Sequence, residues 1–209
     1  MLKKILLGAV VLLVVLIVGF VAVVAMQPSD VHISRSLTMA APPDKVFEQV
    51  NNLHRSPDWS PFIKLDPNIK YSYEGPESGA GAVYKWSGND EVGEGSMTIV
   101  ESKPNELVRM KLAFVRPMED TSEAVFTFKP EGEKINVTWA MNGTNGFVEK
   151  AFCMFVDLDK MIGDKFLEGL ESMKKIVETQ PAEGDKAPPS PTEGEQPLKP
   201  NVESSTKSE

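Results

Sequence analysis

The feature that most limits the fold of this 209-residue chain is a long stretch of alternating apolar and polar residues between positions 70 and 141. In six segments of this stretch, apolar residues recur at every second position, which is the period of a β-strand. The segments are YSYE, GAVYKWSG, GSMTIVESK, ELVRMKLAF, TSEAVFTFK and EKINVTWAM. Short separators rich in Gly, Pro, Asn and acidic residues divide them, as is typical of turns. Closely spaced strands with such short loops predict an antiparallel meander.

The alternation also predicts which face of the sheet is buried. In ELVRMKLAF, Met110 and Phe114 fall on one side, whereas Arg109 and Lys111 fall on the other. The same pattern in the other segments gathers the large apolar side chains on one face and leaves the opposite face polar. We therefore expect another element of the chain to cover the apolar face.

Helical patterns flank the strands on both sides. A first strand, VHISRSLTM, precedes AAPPDKVFEQVNN, in which Pro42 and Pro43 favour the start of a helix. Three prolines in RSPDWSPFIKLDPN leave room for only a short second helix, and GFVEKAFCMF predicts another after the meander. The last segment, DLDKMIGDKFLEGLESMKKIVE, repeats apolar residues at helical spacing, with Asp157 as its N-cap. Together they predict an α+β fold, in which about seven curved antiparallel strands wrap around a long C-terminal helix.

The N-terminal segment predicts a single transmembrane helix. Residues 5–26 contain no charged side chain, and as a helix they would measure roughly 33 Å, enough to cross a hydrocarbon core of about 30 Å. Lys3 and Lys4 precede this run, and the next basic residue is Arg35. The positive-inside rule then predicts that residues 1–4 are cytoplasmic and that the domain is extracytoplasmic, in the periplasm if the source is a Gram-negative bacterium. A cleaved signal peptide with a secreted domain is the alternative, although signal peptides usually have shorter apolar regions, of about 7–15 residues.

The rest of the chain divides into three parts. Residues 27–30 form a linker, and residues 31–179 suit one domain with its own core. Residues 180–209 are rich in Pro, Glu, Ser and Lys, a composition that predicts a disordered tail.

The net charge of -8, with dispersed Lys and Arg, argues against a nucleic-acid partner. One cysteine and two histidines give no basis for predicting a metal or another cofactor.

Several short motifs resemble those of a known family. They are APPDKVF at 41–47, WSPF at 59–62, YEGP at 73–76, GAVYKWSGN at 81–89 and FVDLDKMIGDKFLEGLESMKKI at 155–176. This arrangement resembles the polyketide cyclase/dehydrase and lipid-transport family, often called SRPBCC. That family belongs to the helix-grip superfamily, together with START lipid-binding domains and the birch-pollen allergen. The resemblance covers about residues 31–177 and implies a helix-grip fold with a cavity between the sheet and the long helix. It implies little about activity, because one fold hosts many functions.

Twelve residues are predicted to line such a cavity and to bind its ligand. Ten of them lie at inward-facing strand positions or on the long helix, and two belong to the WSPF motif. The twelve are Trp59, Phe62, Tyr84, Trp86, Met110, Phe114, Phe126, Phe128, Trp139, Met141, Met161 and Phe166. Aromatic rings give a site shape, and flexible thioethers adapt to varied ligands. The alternative is that these side chains only fill the core, with Trp59 and Phe62 as a hydrophobic plug instead of a lid.

Three hypotheses for function follow. The first is a non-enzymatic, membrane-anchored module that binds a lipid or another hydrophobic small molecule. The second is an enzyme of the cyclase or dehydratase type, which needs a polar acid or base in the cavity. Because Tyr84 is the only inward hydroxyl that we identify, no catalytic residue is predicted. The third is a solidly packed cell-envelope domain that binds an unidentified protein partner.

Overall fold

The computed structural model describes residues 2–179, so the predicted tail at 180–209 lies outside the described residues. The helices are α1 (Leu2–Ala25), α2 (Pro43–Asn51), α3 (Ser56–Trp59), α4 (Phe147–Cys153) and α5 (Leu158–Thr179), with short 3-10 turns at Leu53–Arg55 and Ile63–Leu65. The strands are β1 (Asp30–Met39), β2 (Lys70–Glu74), β3 (Val83–Ser87), β4 (Glu94–Lys103), β5 (Leu107–Arg116), β6 (Asp120–Glu131) and β7 (Lys134–Thr144).

All seven strands form one antiparallel sheet in the order β1-β7-β6-β5-β4-β3-β2. Strands β2 to β7 follow one another as a meander, and β1 pairs with β7 along its whole length, from Asp30 opposite Thr144 to Met39 opposite Ile135. Register shifts between β4 and β5 mark irregularities of the kind that bend a sheet. The predicted fold class, a curved antiparallel sheet with a long C-terminal helix, is confirmed.

Helix α5 packs along the sheet and covers part of its concave face. Asp157 caps the helix as predicted, because its carboxylate accepts a hydrogen bond of 2.9 Å from the Lys160 backbone N–H. The buried stripe of the helix consists of Gly163, Phe166, Gly169, Leu170, Met173 and Val177. Near the other end, Lys174 Nζ donates to the Thr38 carbonyl at 3.0 Å. Since α5 contacts both β1 and β7, the helix lies over one half of the sheet and leaves space above the other.

One end of the sheet, which we call the open end, holds the first residues of β1, β4 and β6 and the last residues of β3, β5 and β7. Helix α1 reaches β1 at this end through residues 26–29, which span at most about 14 Å. The Asn145 backbone N–H donates to the Ser29 carbonyl at 2.7 Å and ties this connection to the end of β7. Helix α1 also contacts α4. The open end is therefore the end of the domain nearest to α1.

Within residues 2–179, α1 is the one helix that is long and apolar enough to cross a membrane, over Lys3–Ala25. Almost all of its side chains are exposed, as they would be in a helix that faces lipid. A retained anchor and a signal sequence share these properties, so length and composition alone do not separate the two.

Candidate functional site

The concave face of the sheet, α3 and α5 enclose a cavity of about 420 Å³. Small-molecule sites typically measure about 300–1,000 Å³, so this cavity is large enough for a ligand. Its wall is almost entirely apolar, and all three tryptophans of the chain, Trp59, Trp86 and Trp139, belong to it. Register shifts between β4 and β5 are of the kind that bend a sheet, and such curvature leaves space beside α5.

An aromatic cluster forms the part of the wall next to α5. The Trp139 ring stacks on Phe166 with centroids 4.2 Å apart and on Phe126 at 4.9 Å. Trp59 meets Trp139 edge-on at 5.4 Å. Helix α5 can approach Trp139 this closely only because residue 169 is glycine, since a Cβ there would lie 2.8 Å from the Trp139 ring. These contacts hold Trp139 in one position.

A second aromatic group lies on β3 and β5, across the cavity from α5. Tyr84 stacks on Trp86 with centroids 5.9 Å apart, and Trp86 meets Phe114 edge-on at 5.8 Å. Gly95, which pairs with Trp86 on the adjacent strand, makes room for the indole: a Cβ at Gly95 would lie 2.7 Å from the ring. The opposite walls of the cavity are thus both built from aromatic side chains that their neighbours hold in place.

Two polar atoms of the wall have no hydrogen-bond partner within the described part of the chain, namely the Tyr84 hydroxyl and Trp139 Nε1. The other two tryptophans differ, because Trp59 Nε1 donates to the Gln49 carbonyl at 2.9 Å and Trp86 Nε1 donates to the Val92 carbonyl at 3.1 Å. An unsatisfied buried polar group costs about 1–3 kcal/mol.

Tyr84 is the single buried ionisable side chain in the described wall. Burial raises the pKa of its phenol, and the neighbouring Tyr73 and Tyr71 raise it further. The phenol therefore stays neutral near pH 7 and serves as a hydrogen-bonding group instead of a base. The other ionisable lining residues, Glu91 and Asp120, are exposed. Residues 2–179 contain no cluster of three or more His, Cys, Asp or Glu side chains that could hold a metal ion.

The mouth of the cavity lies at the open end of the sheet. Among the lining residues, the exposed ones are Glu91, Asp120 and Thr144. Asp120 begins β6, Thr144 ends β7, and Glu91 lies in the loop just before β4. All other lining residues are buried or half-buried. A ligand would therefore enter from the side of the domain on which α1 is attached.

The structure places ten of the twelve predicted residues in the wall of the cavity. These are Trp59, Phe62, Tyr84, Trp86, Met110, Phe114, Phe126, Trp139, Met141 and Phe166. Trp59 is only 4 % exposed and is held by its indole hydrogen bond, so it is a fixed part of the wall. Phe62 is half-buried and meets the Trp139 ring at 6.1 Å.

The other two predicted residues, Met161 and Phe128, do not line the cavity. Met161 is 50 % exposed, because it lies about 100° around α5 from Ile162, which does line it. Phe128 is buried, but it lies farther along β6 and packs edge-on against Phe47 of α2 at 5.4 Å. Phe128 therefore fills the core between sheet and helix.

Several wall residues were not predicted from the sequence. They include Val92, Met97, Leu112, Ser122, Ala124, Leu158 and Ile162. Leu112, Ser122 and Ala124 lie two or four residues from predicted inward residues on their own strands, so the strand period places them on the same face. Val92 lies in the turn between β3 and β4, where no periodic pattern exists.

Solved structures with the same fold share little sequence with this chain. Protein CV1439 from Chromobacterium violaceum is 12% identical, with a TM-score of 0.52, and the match covers 74% of this chain and 100% of that one. The Aha1 dimer from Colwellia psychrerythraea is 18% identical at a TM-score of 0.52, with coverage of 71% and 97%. Ginseng major latex-like protein 151 from Panax ginseng is 15% identical at 0.51, again with coverage of 71% and 97%. At such low identity, these likenesses show the fold alone.

Sequence comparison gives the family. No curated protein matches the chain at a significant level. The profile of a family described as polyketide cyclase / dehydrase and lipid transport matches residues 30–178, which include the whole sheet and nearly all of α5. The resemblance seen in the motifs is therefore confirmed. This chain belongs to the polyketide cyclase/dehydrase and lipid transport family, the SRPBCC family.

Proposed function

We propose that this protein is a membrane-anchored module that binds a lipid-like hydrophobic molecule in the cavity between the sheet and α5. The observation that carries the proposal is the apolar cavity of about 420 Å³, with all three tryptophans in its wall. A domain that served only as a solid scaffold would have no reason to keep this space, because empty cavities cost stability. The family description, which includes lipid transport, agrees with this function.

Apolar burial supplies the driving force for binding. A ligand that hides about 300 Å² of apolar surface gains about 7.5 kcal/mol at 25 cal/mol per Å². Loss of free motion on binding offsets at least about 4 kcal/mol of that gain. The remainder corresponds to weak, reversible binding, which hydrogen bonds to the ligand would strengthen.

The two unpartnered polar atoms indicate the kind of ligand. Trp139 Nε1 can only donate a hydrogen bond, and the Tyr84 hydroxyl can donate one as well. A molecule with oxygen acceptors, such as a fatty acid, a fatty ester or an oxygenated isoprenoid, would satisfy both atoms if binding turned them toward it. A pure hydrocarbon would leave both unsatisfied.

Helix α1 serves in this proposal as a retained anchor, with residues 1–4 in the cytoplasm and the domain outside. The charge pattern at Lys3 and Lys4 supports that orientation. Retention is supported by Val24, which is fully buried although it belongs to the apolar helix. Because α1 contacts α4, cleavage near Met26 would remove this buried side chain and expose the surface that covers it. The mass of the mature protein extracted from membranes tests this point.

Ligand binding is tested on the full chain in lipid nanodiscs, because detergent monomers would compete for the cavity. Cis-parinaric acid, a fluorescent fatty acid, accepts energy from nearby tryptophan, and every tryptophan of this protein lines the site. We expect saturable energy transfer at one fatty acid per chain, reversed by excess oleate. Transfer that rises linearly without saturation, from protein that also carries no co-purified lipid, would contradict the proposal.

A further inference from the structure

We propose that the open end of the domain is a bilayer-contacting surface, which seats the mouth of the cavity on the same membrane that α1 spans. This inference rests on the proposed function only for the role of α1 as an anchor. It adds a second contact with the membrane, made by the folded domain itself, and it gives the ligand a route from the bilayer into the cavity.

The first observation is the distribution of exposed apolar side chains. Outside α1, most of the large apolar side chains that face solvent in the described residues are gathered at the open end. They are Met26, Val115, Met118, Phe147, Val148, Phe152, Met154 and Phe155, and we call them the apolar rim. A soluble surface seldom exposes so many large apolar groups together, and such patches mark interaction sites.

The rim comes from three separate parts of the chain. Met26 lies in the connection after α1, Val115 and Met118 lie at and just beyond the end of β5, and the others lie in or just after α4. Phe155 is 79 % exposed, the highest value in the rim apart from Met26. Since distant segments contribute to one surface, the rim is a feature of the folded domain and not of a single hydrophobic stretch.

The second observation identifies the occupant of this surface. The connection between α1 and β1 spans at most about 14 Å, so a bilayer that holds α1 must lie directly beside the open end. Val24 is fully buried and α1 contacts α4, which places α4 at the level of the last helical turn of α1. That level is the water–lipid interface, where exposed Phe and Met side chains are stable. A lipid bilayer is therefore the partner that the geometry favours.

Charge at the open end indicates which lipids the surface prefers. Lys150 and Arg116 are accompanied there by Glu119, Glu149 and Asp157, together with the acidic residues of the mouth. Such a surface has no basic patch to attract anionic headgroups. We therefore expect apolar insertion to drive the contact, with no gain from phosphatidylglycerol over phosphatidylcholine.

Site-specific fluorescence in the full chain tests the inference. The sole cysteine, Cys153, is replaced by serine, and single cysteines are introduced as Phe155→Cys in the rim and Val100→Cys as the control. Val100 is also exposed, but it lies six residues along β4 from Glu94, about 20 Å from the open end. Each variant is labelled with an environment-sensitive dye and reconstituted in phosphatidylcholine vesicles that contain brominated lipid.

We expect brominated lipid to quench the dye at position 155 several-fold more strongly than the dye at position 100, with the reverse order for aqueous iodide. Equal quenching by lipid at the two positions, or none at either, would overturn the inference. This result does not depend on ligand binding. Quenching at position 155 in a protein that binds no fatty acid would contradict the proposed function and support the membrane contact of the open end. Saturable fatty-acid binding without quenching at position 155 would support the proposed function and contradict the membrane contact of the open end.

A second pair of variants tests the route of entry. Phe155→Glu places a charge in the rim, and Val100→Glu places the same charge on the outer face of the sheet. We expect Phe155→Glu to slow the loading of cis-parinaric acid from vesicles several-fold while the final occupancy stays the same, and Val100→Glu to change neither. Equal loading rates in both variants would show that the ligand does not enter through the rim.

Discussion

Ala124→Leu tests directly whether the cavity is empty space that a ligand can use. Ala124 lies in the middle of β6, is 5 % exposed, and stands between Met110 and Met141 on the neighbouring strands. Leucine adds three carbons at this point. If they enter free space, their burial contributes about 2.4 kcal/mol at 0.8 kcal/mol per carbon, less about 0.5–1 kcal/mol of side-chain entropy. If the interior is packed solid, the same carbons cost about 1–3 kcal/mol instead.

Thermal unfolding of the full chain in nanodiscs, followed by tryptophan fluorescence, measures the sign of this change. A net gain of about 1.5 kcal/mol raises Tm by about 3–6 °C in a domain of this size. Ala82→Leu is the matched control, because Ala82 is 1 % exposed and does not line the cavity. There we expect a loss of about 1–3 kcal/mol.

Ligand binding completes this test. We expect Ala124→Leu to weaken cis-parinaric acid binding at least several-fold, because the added carbons occupy the ligand's space. Destabilisation equal to that of Ala82→Leu would refute the reasoning about the void. A stabilised variant with unchanged affinity would show that the ligand binds elsewhere.

Three further predictions concern the aromatic wall. Gly95→Ala is expected to lower the unfolding free energy by about 1–3 kcal/mol, seen as a lower Tm, because its Cβ would lie 2.7 Å from the Trp86 ring and 2.6 Å from the Ala113 carbonyl oxygen. Tyr84→Phe is expected to weaken binding of a fatty acid by about 0.5–1.5 kcal/mol in a competition titration, while binding of a hydrocarbon of equal length is unchanged, because only the fatty acid accepts the phenol's hydrogen bond. The third concerns pH: burial raises the pKa of Tyr84, so the unfolded chain loses this proton near pH 10 while the folded chain keeps it. The contribution of Tyr84 to the free energy of unfolding is therefore constant below about pH 10 and falls above it by up to about 1.4 kcal/mol per pH unit. Denaturant titrations between about pH 9 and 11 should show a shallower fall in the free energy of unfolding for Tyr84→Phe.

The sheet could be predicted because strand periodicity is a local property of the sequence. The alternation that places Met110 and Phe114 opposite Arg109 and Lys111 holds in the structure, where Arg109 pairs on the outer face with Glu101 at 3.0 Å and Glu123 at 2.8 Å. All six strand segments of the meander occur, with ends that differ by a few residues. The same periodicity explains why most predicted wall residues do face the cavity.

Two predicted site residues lie outside the cavity wall because the local pattern does not determine which element each side chain packs against. Met161 and Ile162 are adjacent apolar residues on α5, about 100° apart around the helix axis, and only Ile162 lines the cavity. Phe128 obeys the strand period, yet the position of α2 decides that it packs against Phe47 instead of the cavity. The rim residues of α4 were predicted as a short helix, but their exposure depends on contacts between α4 and the distant α1.

The short connection between α1 and β1 limits how the proposed membrane-anchored module could deliver a ligand. Only residues 26–29 separate the helix from the strand, and the bond from Asn145 to Ser29 shortens their free length further. If α1 is retained as the proposed anchor, the domain cannot cross to a facing membrane with a bound ligand, as a freely diffusing carrier does. A ligand released from the cavity would then pass into the surrounding leaflet or to a second protein that comes to the domain. Under this proposal, the amount of ligand held at any place in the cell would follow the distribution of this protein in the membrane.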